Sequence, residues 1–132
     1  MNRIQYQVLS LKHLSEQLTS NKPVWELQSP SGGWLKALRQ ALGLSLKSVA
    51  ERLKLTPQSI HQFEKSEAIG SISLRQLEAV AGAMGCRVVY AIVPRQGTLE
   101  ALANAERHAA LQAVQHSMAL EGQAVEHPET LP

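Results

Sequence analysis

Apolar residues return every three or four positions along most of this chain, and each run is bounded by Ser, Thr, Pro or Gly. From Arg3 to Ser20 they fall at Ile4, Val8, Leu11, Leu14 and Leu18, which predicts an amphipathic helix with that stripe against a core. Asn21-Lys22-Pro23 stops it. The segment up to Gly33 holds Trp25, two prolines and Ser-Gly-Gly, and predicts a loop that packs Trp25 inward rather than offering it to a base. A helix begins at Gly33 or Trp34 and runs through Ala41, with Trp34, Leu35, Leu38 and Leu42 inward, Lys36, Arg39 and Gln40 outward, and Gly43 as its stop.

Leu44 to Ser66, LSLKSVAERLKLTPQSIHQFEKS, reads as two short helices around a tight turn. Leu46, Val49, Ala50 and Leu53 give the first its apolar face, and Ile60 and Phe63 the second. Thr56 is a good N-cap, and Pro57 takes the first helical position, where a missing N–H costs nothing. Gln58, Ser59, His61, Gln62 and Lys65 then point away from Ile60 and Phe63. Amide, hydroxyl, imidazole and ammonium groups without a carboxylate suit hydrogen bonding to base edges and phosphates in a DNA major groove.

Glu67 to Ser71 is expected to be a loop. Ser73 caps a further helix with Leu74, Leu77, Val80, Ala81 and Met84 inward and Gly85 as its end. Ser71 or Ser73, with the first N–H groups of that helix, could hold a phosphate. Cys86 to Val93 changes period: it is short, β-branched and closed by Pro94, which predicts one strand. A lone strand leaves its backbone groups unpaired. Pairing with the same strand of a second copy, through Val88, Val89, Tyr90 and Ile92, solves this and gives a two-fold dimer. The alternative is an extended segment lying on the chain's own helices. Leu99 to Leu120 predicts a last, Ala-rich amphipathic helix, and residues beyond Gly122 a frayed tail.

Composition narrows this. The 132 residues suit one domain with tails and a core of about five helices built from Leu, Val, Ile and Ala. No apolar run is long enough to span a bilayer and no secretory signal opens the chain, so a cytoplasmic protein without a membrane role is expected. A single cysteine excludes an internal disulfide, and five scattered histidines without any Asp give no metal spacing. With no phosphate-cradling Gly-rich loop and no nucleophile elbow, neither an enzyme nor a cofactor is expected. Charge is uneven. From Gly33 to Ser66 six basic side chains face two carboxylates, whereas from Gly97 onward Arg107 stands against five. The centre suits a polyanion and the C-terminal third does not.

The Leu44–Ser66 stretch resembles the helix-turn-helix of the phage-repressor (Cro/C1, or Xre) family. Val49-Ala50 falls where that family has Leu-Ala, Leu55-Thr56 on its apolar residue and Ser or Thr, and Ile60 and Phe63-Glu64 on the apolar and Glu positions of its second helix. The resemblance implies double-stranded DNA as partner, with Lys47, Lys54, Thr56, Pro57, Gln58, Ser59, His61, Gln62, Lys65, Ser71 and Ser73 at the interface. It departs at Leu46, where many members carry a phosphate-binding Gln that Lys47 or Lys54 would replace. It departs again at Lys54 and Ser66, where Gly is usual.

A second resemblance concerns the C-terminal helix. Ser117, Glu121 and Gly122 match the pattern of the inhibitory helices of Fic-domain proteins, in which the Glu pairs with an Arg of the Fic motif and obstructs the ATP γ-phosphate. From about Pro30 to Leu102 the order of parts is similar to the mobile mystery protein A family, whose members are usually encoded beside a Fic-domain protein. Together these imply a mainly α, lambda-repressor-like bundle with one short dimerising β-strand and a C-terminal helix. The implied divisions are an N-terminal helix and loop (1–29), the helix-turn-helix domain (30–85), the strand (86–94), the C-terminal helix (95–122) and a flexible tail (123–132). The implied function is an autorepressor that binds its operator as a homodimer and neutralises a Fic-domain toxin. A plain regulator of a mobile element and a helical adaptor without DNA remain the alternatives.

Overall fold

A computed structural model describes residues 2–124 of the chain. Six α-helices follow one another: α1 (Arg3–Thr19), α2 (Trp34–Ala41), α3 (Leu46–Leu53), α4 (Pro57–Ala68), α5 (Leu74–Ala83) and α6 (Leu99–Ala124), with one turn of 3₁₀ helix at Val24–Glu26. They divide into two compact units, one through Ala91 and one from Ile92.

Helix starts are set by short polar side chains that accept from otherwise orphaned first-turn N–H groups. Asn2 and Gln5 form a reciprocal capping box on α1. Ser45 accepts from Ser48 N, Thr56 from Ser59 N and Ser73 from Gln76 N, opening α3, α4 and α5. Pro57 occupies the first turn of α4. Thr56-Pro57 and Ser73 are the starts that the sequence predicts. The end of α4 is not, because the helix continues through Glu67 and Ala68 instead of opening into a loop.

Leu35, Val49, Ala50, Ile60, Val80, Ala81 and Met84 form one buried cluster drawn from α2, α3, α4 and α5, with Leu38, Leu46, Leu53, Phe63 and Leu77 partly buried around it. Burying each large aliphatic side chain here contributes about 1.5–3 kcal/mol. Arg52 also donates from its guanidinium to the carbonyl of Ala83 at 2.9 Å, tying α3 to the last turn of α5.

Four expectations about packing fail. Of the five apolar residues expected to face inward on α1 only Leu14 is buried, while Ile4, Val8, Leu11 and Leu18 stay exposed. The α1 surface against the rest of its unit is instead the adjoining, more polar one, where Gln7, Ser10, Leu14 and Gln17 are buried or half-buried. Leu42 and Leu74 are exposed too, each lying at or beside a helix end. Trp25 is 63% exposed, since the 3₁₀ turn that carries it leaves no residue buried. Finally, Cys86 to Val93 is not a strand, and no strand occurs among the described residues. A ladder needs a second strand, which the described residues do not supply. Val88 and Cys86 pack partly on the core, whereas Val89, Tyr90 and Ile92 are exposed.

The polar and apolar positions of α6 are exposed along most of its length, and it passes through Gly122 rather than ending there. The expected tail lies mostly outside the described residues.

Candidate nucleic-acid interface

α3 and α4 meet at Lys54-Leu55-Thr56. Lys54 takes the left-handed conformation (φ 57°, ψ 40°), the one non-glycine among the described residues to do so. That conformation ends α3 by turning the Lys54 N–H back to the carbonyls of Ala50 and Glu51. Thr56 then restarts the chain in extended backbone. Its Oγ1 accepts from Ser59 N at 3.2 Å and lies 2.9 Å from Ser59 Oγ. The short turn fixes α4 against α3 and aims one side of it outward.

On α4, Ile60 and Glu64 are buried, Ser59, Phe63, Ser66 and Glu67 are half-buried, and Gln58, His61, Gln62 and Lys65 are exposed. The four exposed side chains carry hydrogen-bonding groups and one permanent cation. Thr56 and Ser59 are committed to the cap, which makes them positioning residues first. Lys47 and Lys54 are exposed on the preceding helix and turn. Ser73 caps α5, and the Ser71 hydroxyl donates at 3.4 Å to the carbonyl of Ser66, so both hydroxyls are engaged locally.

The absence of carboxylates from the outer face has a structural cause. Glu64 turns inward, and Arg39 of α2 donates to it from Nε (2.6 Å) and from a terminal nitrogen (3.1 Å). Arg39 also donates to the Leu44 carbonyl at 3.1 Å, so the buried ion pair is hydrogen-bonded beyond itself. One turn further, Glu67 accepts from Trp34 N at 2.8 Å and Leu35 N at 2.7 Å, capping α2 where Gly33 offers no side chain. A carboxylate at a helix start also complements the partial positive charge there. Both acids of α4 are therefore spent on α2. Arg39 points to this pair and not outward as its helical spacing predicts. No local signal could reveal Glu67, because the N–H groups it meets are more than thirty residues away in sequence.

Residues 35–90 match the family model described as Helix-turn-helix. The chain carries a helix-turn-helix domain. The match begins at the first buried residue of α2, takes in α3, the turn, α4 and α5, and leaves α1 and α6 outside. No curated protein and no solved structure matches the chain.

The helix-turn-helix has its two helices in the order such domains use on DNA: the first crosses the backbone and the second enters the major groove. α3 and α4 are the corresponding pair in this chain, and Gln58, His61, Gln62 and Lys65 are the exposed side chains of α4. Ser117, Glu121 and Gly122 lie on α6; Ser117 and Glu121 are four positions apart and so are neighbours on one helix surface. The described residues contain no group of His, Cys or Glu side chains able to hold a metal ion. None of their helices is long and apolar enough to cross a membrane.

Proposed function

We propose that this protein is a DNA-binding transcriptional regulator that occupies an operator near its own gene and represses it. The observation that carries this reading is the exposed, carboxylate-free side of α4 within a matched helix-turn-helix domain. Gln58 and Gln62 offer the bidentate amides that pair with adenine, and Lys65 offers a cation to guanine or phosphate. A gel shift on the promoter upstream of the gene tests it. Retardation that weakens steeply with salt is expected, because phosphate contacts release counterions. A chain that retards neither this promoter nor any other duplex overturns the reading and leaves the adaptor alternative.

Repression by two copies is the finer form. Val89, Tyr90 and Ile92 are exposed apolar residues in a segment without ladder partners, and a two-fold pair matches a pseudo-palindromic operator. Ile92→Glu is expected to shift the chain to monomer in sedimentation and to lose cooperative operator binding. Wild type that sediments as monomer at micromolar concentration removes this part.

The toxin-neutralising role completes the proposal, in a regulator working in the cytoplasm. It is supported by the Ser117–Glu121–Gly122 pattern on one surface of α6 and by the resemblance to a family encoded beside Fic-domain proteins. There, Glu121 captures the guanidinium that would bind the nucleotide phosphate, and Ser117 anchors the helix. Co-expression with the adjacent Fic-domain protein is the test. Wild type is expected to protect the cells and Glu121→Ala to fail; equal protection leaves a plain regulator.

A further inference from the structure

A cleft of about 600 Å³ opens between the start of α1, the end of α2 and the first turn of α3. Its lining includes Arg3, Tyr6, Arg39 and Lys47 and contains no carboxylate. Arg39 is neutralised by Glu64, which lies outside the lining. Arg3 and Lys47 have no ion-pair partner among the described residues, so two uncompensated cations face one concavity. Tyr6 adds a hydroxyl donor. The N–H groups of Leu46 and Lys47, also at this cleft, are left over once Ser45 has taken Ser48 N and Val49 N.

We propose that this cleft seats a backbone phosphate of the bound duplex, with Arg3 and Tyr6 of α1 as contacts that the matched domain itself does not contain. The inference rests on the helix-turn-helix reading, because that reading places the first turn of α3 against the DNA backbone. A phosphodiester is a single negative charge with two free oxygens. It suits a rim of one guanidinium, one ammonium, one phenol and two backbone donors without an acid. α1 docks along α2, and its capping box sets the first turn that carries Arg3, which lines the same cleft as Lys47.

The test uses the full-length chain on a short mixed-sequence duplex and on the promoter, across a salt series. Arg3→Ala is expected to weaken both by on the order of tenfold and to lower the salt slope by about one, and Tyr6→Phe to weaken both a few-fold. Lys12→Ala, which removes a cation from α1 outside the cleft, is expected to stay within about twofold of wild type. Circular dichroism melts of the variants serve as the folding control. Replacing single phosphates by neutral methylphosphonate locates the contact: one position is expected to weaken wild type but to cost Arg3→Ala nothing. Arg3→Ala that matches Lys12→Ala in a chain that binds DNA overturns the cleft and leaves the function standing. A wild type that binds no duplex overturns both.

Discussion

Glu64 of α4 and Arg39 of α2 form a buried, two-point ion pair, with the Arg39 Nε 2.6 Å from one carboxylate oxygen. The pair is worth little relative to apolar residues of the same size, but breaking it strands a charge. Glu64→Ala is expected to destabilise the chain by about 3–5 kcal/mol, read as a lower urea midpoint. The double change Arg39→Met with Glu64→Leu is expected to recover most of that loss. Failure to recover would mean that the pair holds a geometry apolar packing cannot replace.

Gly33 is held between its own backbone and Glu67. With φ at 93°, an added Cβ comes 2.7 Å from Glu67 Oε1. Gly70 shares the positive φ, at 79°, yet a Cβ there meets nothing within 4 Å. Gly70→Ala is therefore expected to cost only the backbone strain, about 1–2 kcal/mol. Gly33→Ala adds the displacement of a carboxylate from two N–H groups and should exceed about 3 kcal/mol. Equal losses by denaturant titration would show that Glu67 moves aside freely.

Lys54 pays for its position with strain and repays it in charge. Lys54→Gly relieves a left-handed side chain but makes the unfolded chain more flexible, for a net gain of about 0.5–1 kcal/mol. The same variant removes an exposed cation beside α4, and on the proposed function DNA affinity is expected to fall alike on all sequences. A thermal melt and a salt series separate the two effects; unchanged DNA affinity would take Lys54 out of the interface.

On α4, Gln58→Ala or Gln62→Ala should remove about 1–3 kcal/mol of discrimination at particular base pairs while sparing non-specific binding. Lys65→Ala should weaken specific and non-specific duplexes together. Competition gel shifts with single-base operator variants distinguish them. Uniform loss from both glutamine changes would move the reading face elsewhere on the helix.

What the sequence makes visible here is local. Thr56-Pro57 and Ser73 mark helix starts because the cap and the N–H groups it meets lie within three residues of each other. The outward set Gln58, His61, Gln62 and Lys65 follows from the spacing of Ile60 and Phe63. Non-local partners are hidden. Glu67 reads as loop because its partners, Trp34 N and Leu35 N, sit on a distant helix. The stripe of Ile4, Val8, Leu11 and Leu18 shows which side of α1 is apolar, not whether anything covers it. Cys86 to Val93 has the composition of a strand, but a strand is a relationship between two segments, and composition describes one.

The inward acids of α4 separate what the helix is anchored by from what it displays. Because Glu64 and Glu67 grip α2 from behind, the side chains at 58, 61, 62 and 65 can be exchanged without touching any contact that holds the helix in place. On the proposed DNA-binding role, operator choice in this scaffold is thus open to redesign by swapping a handful of surface letters.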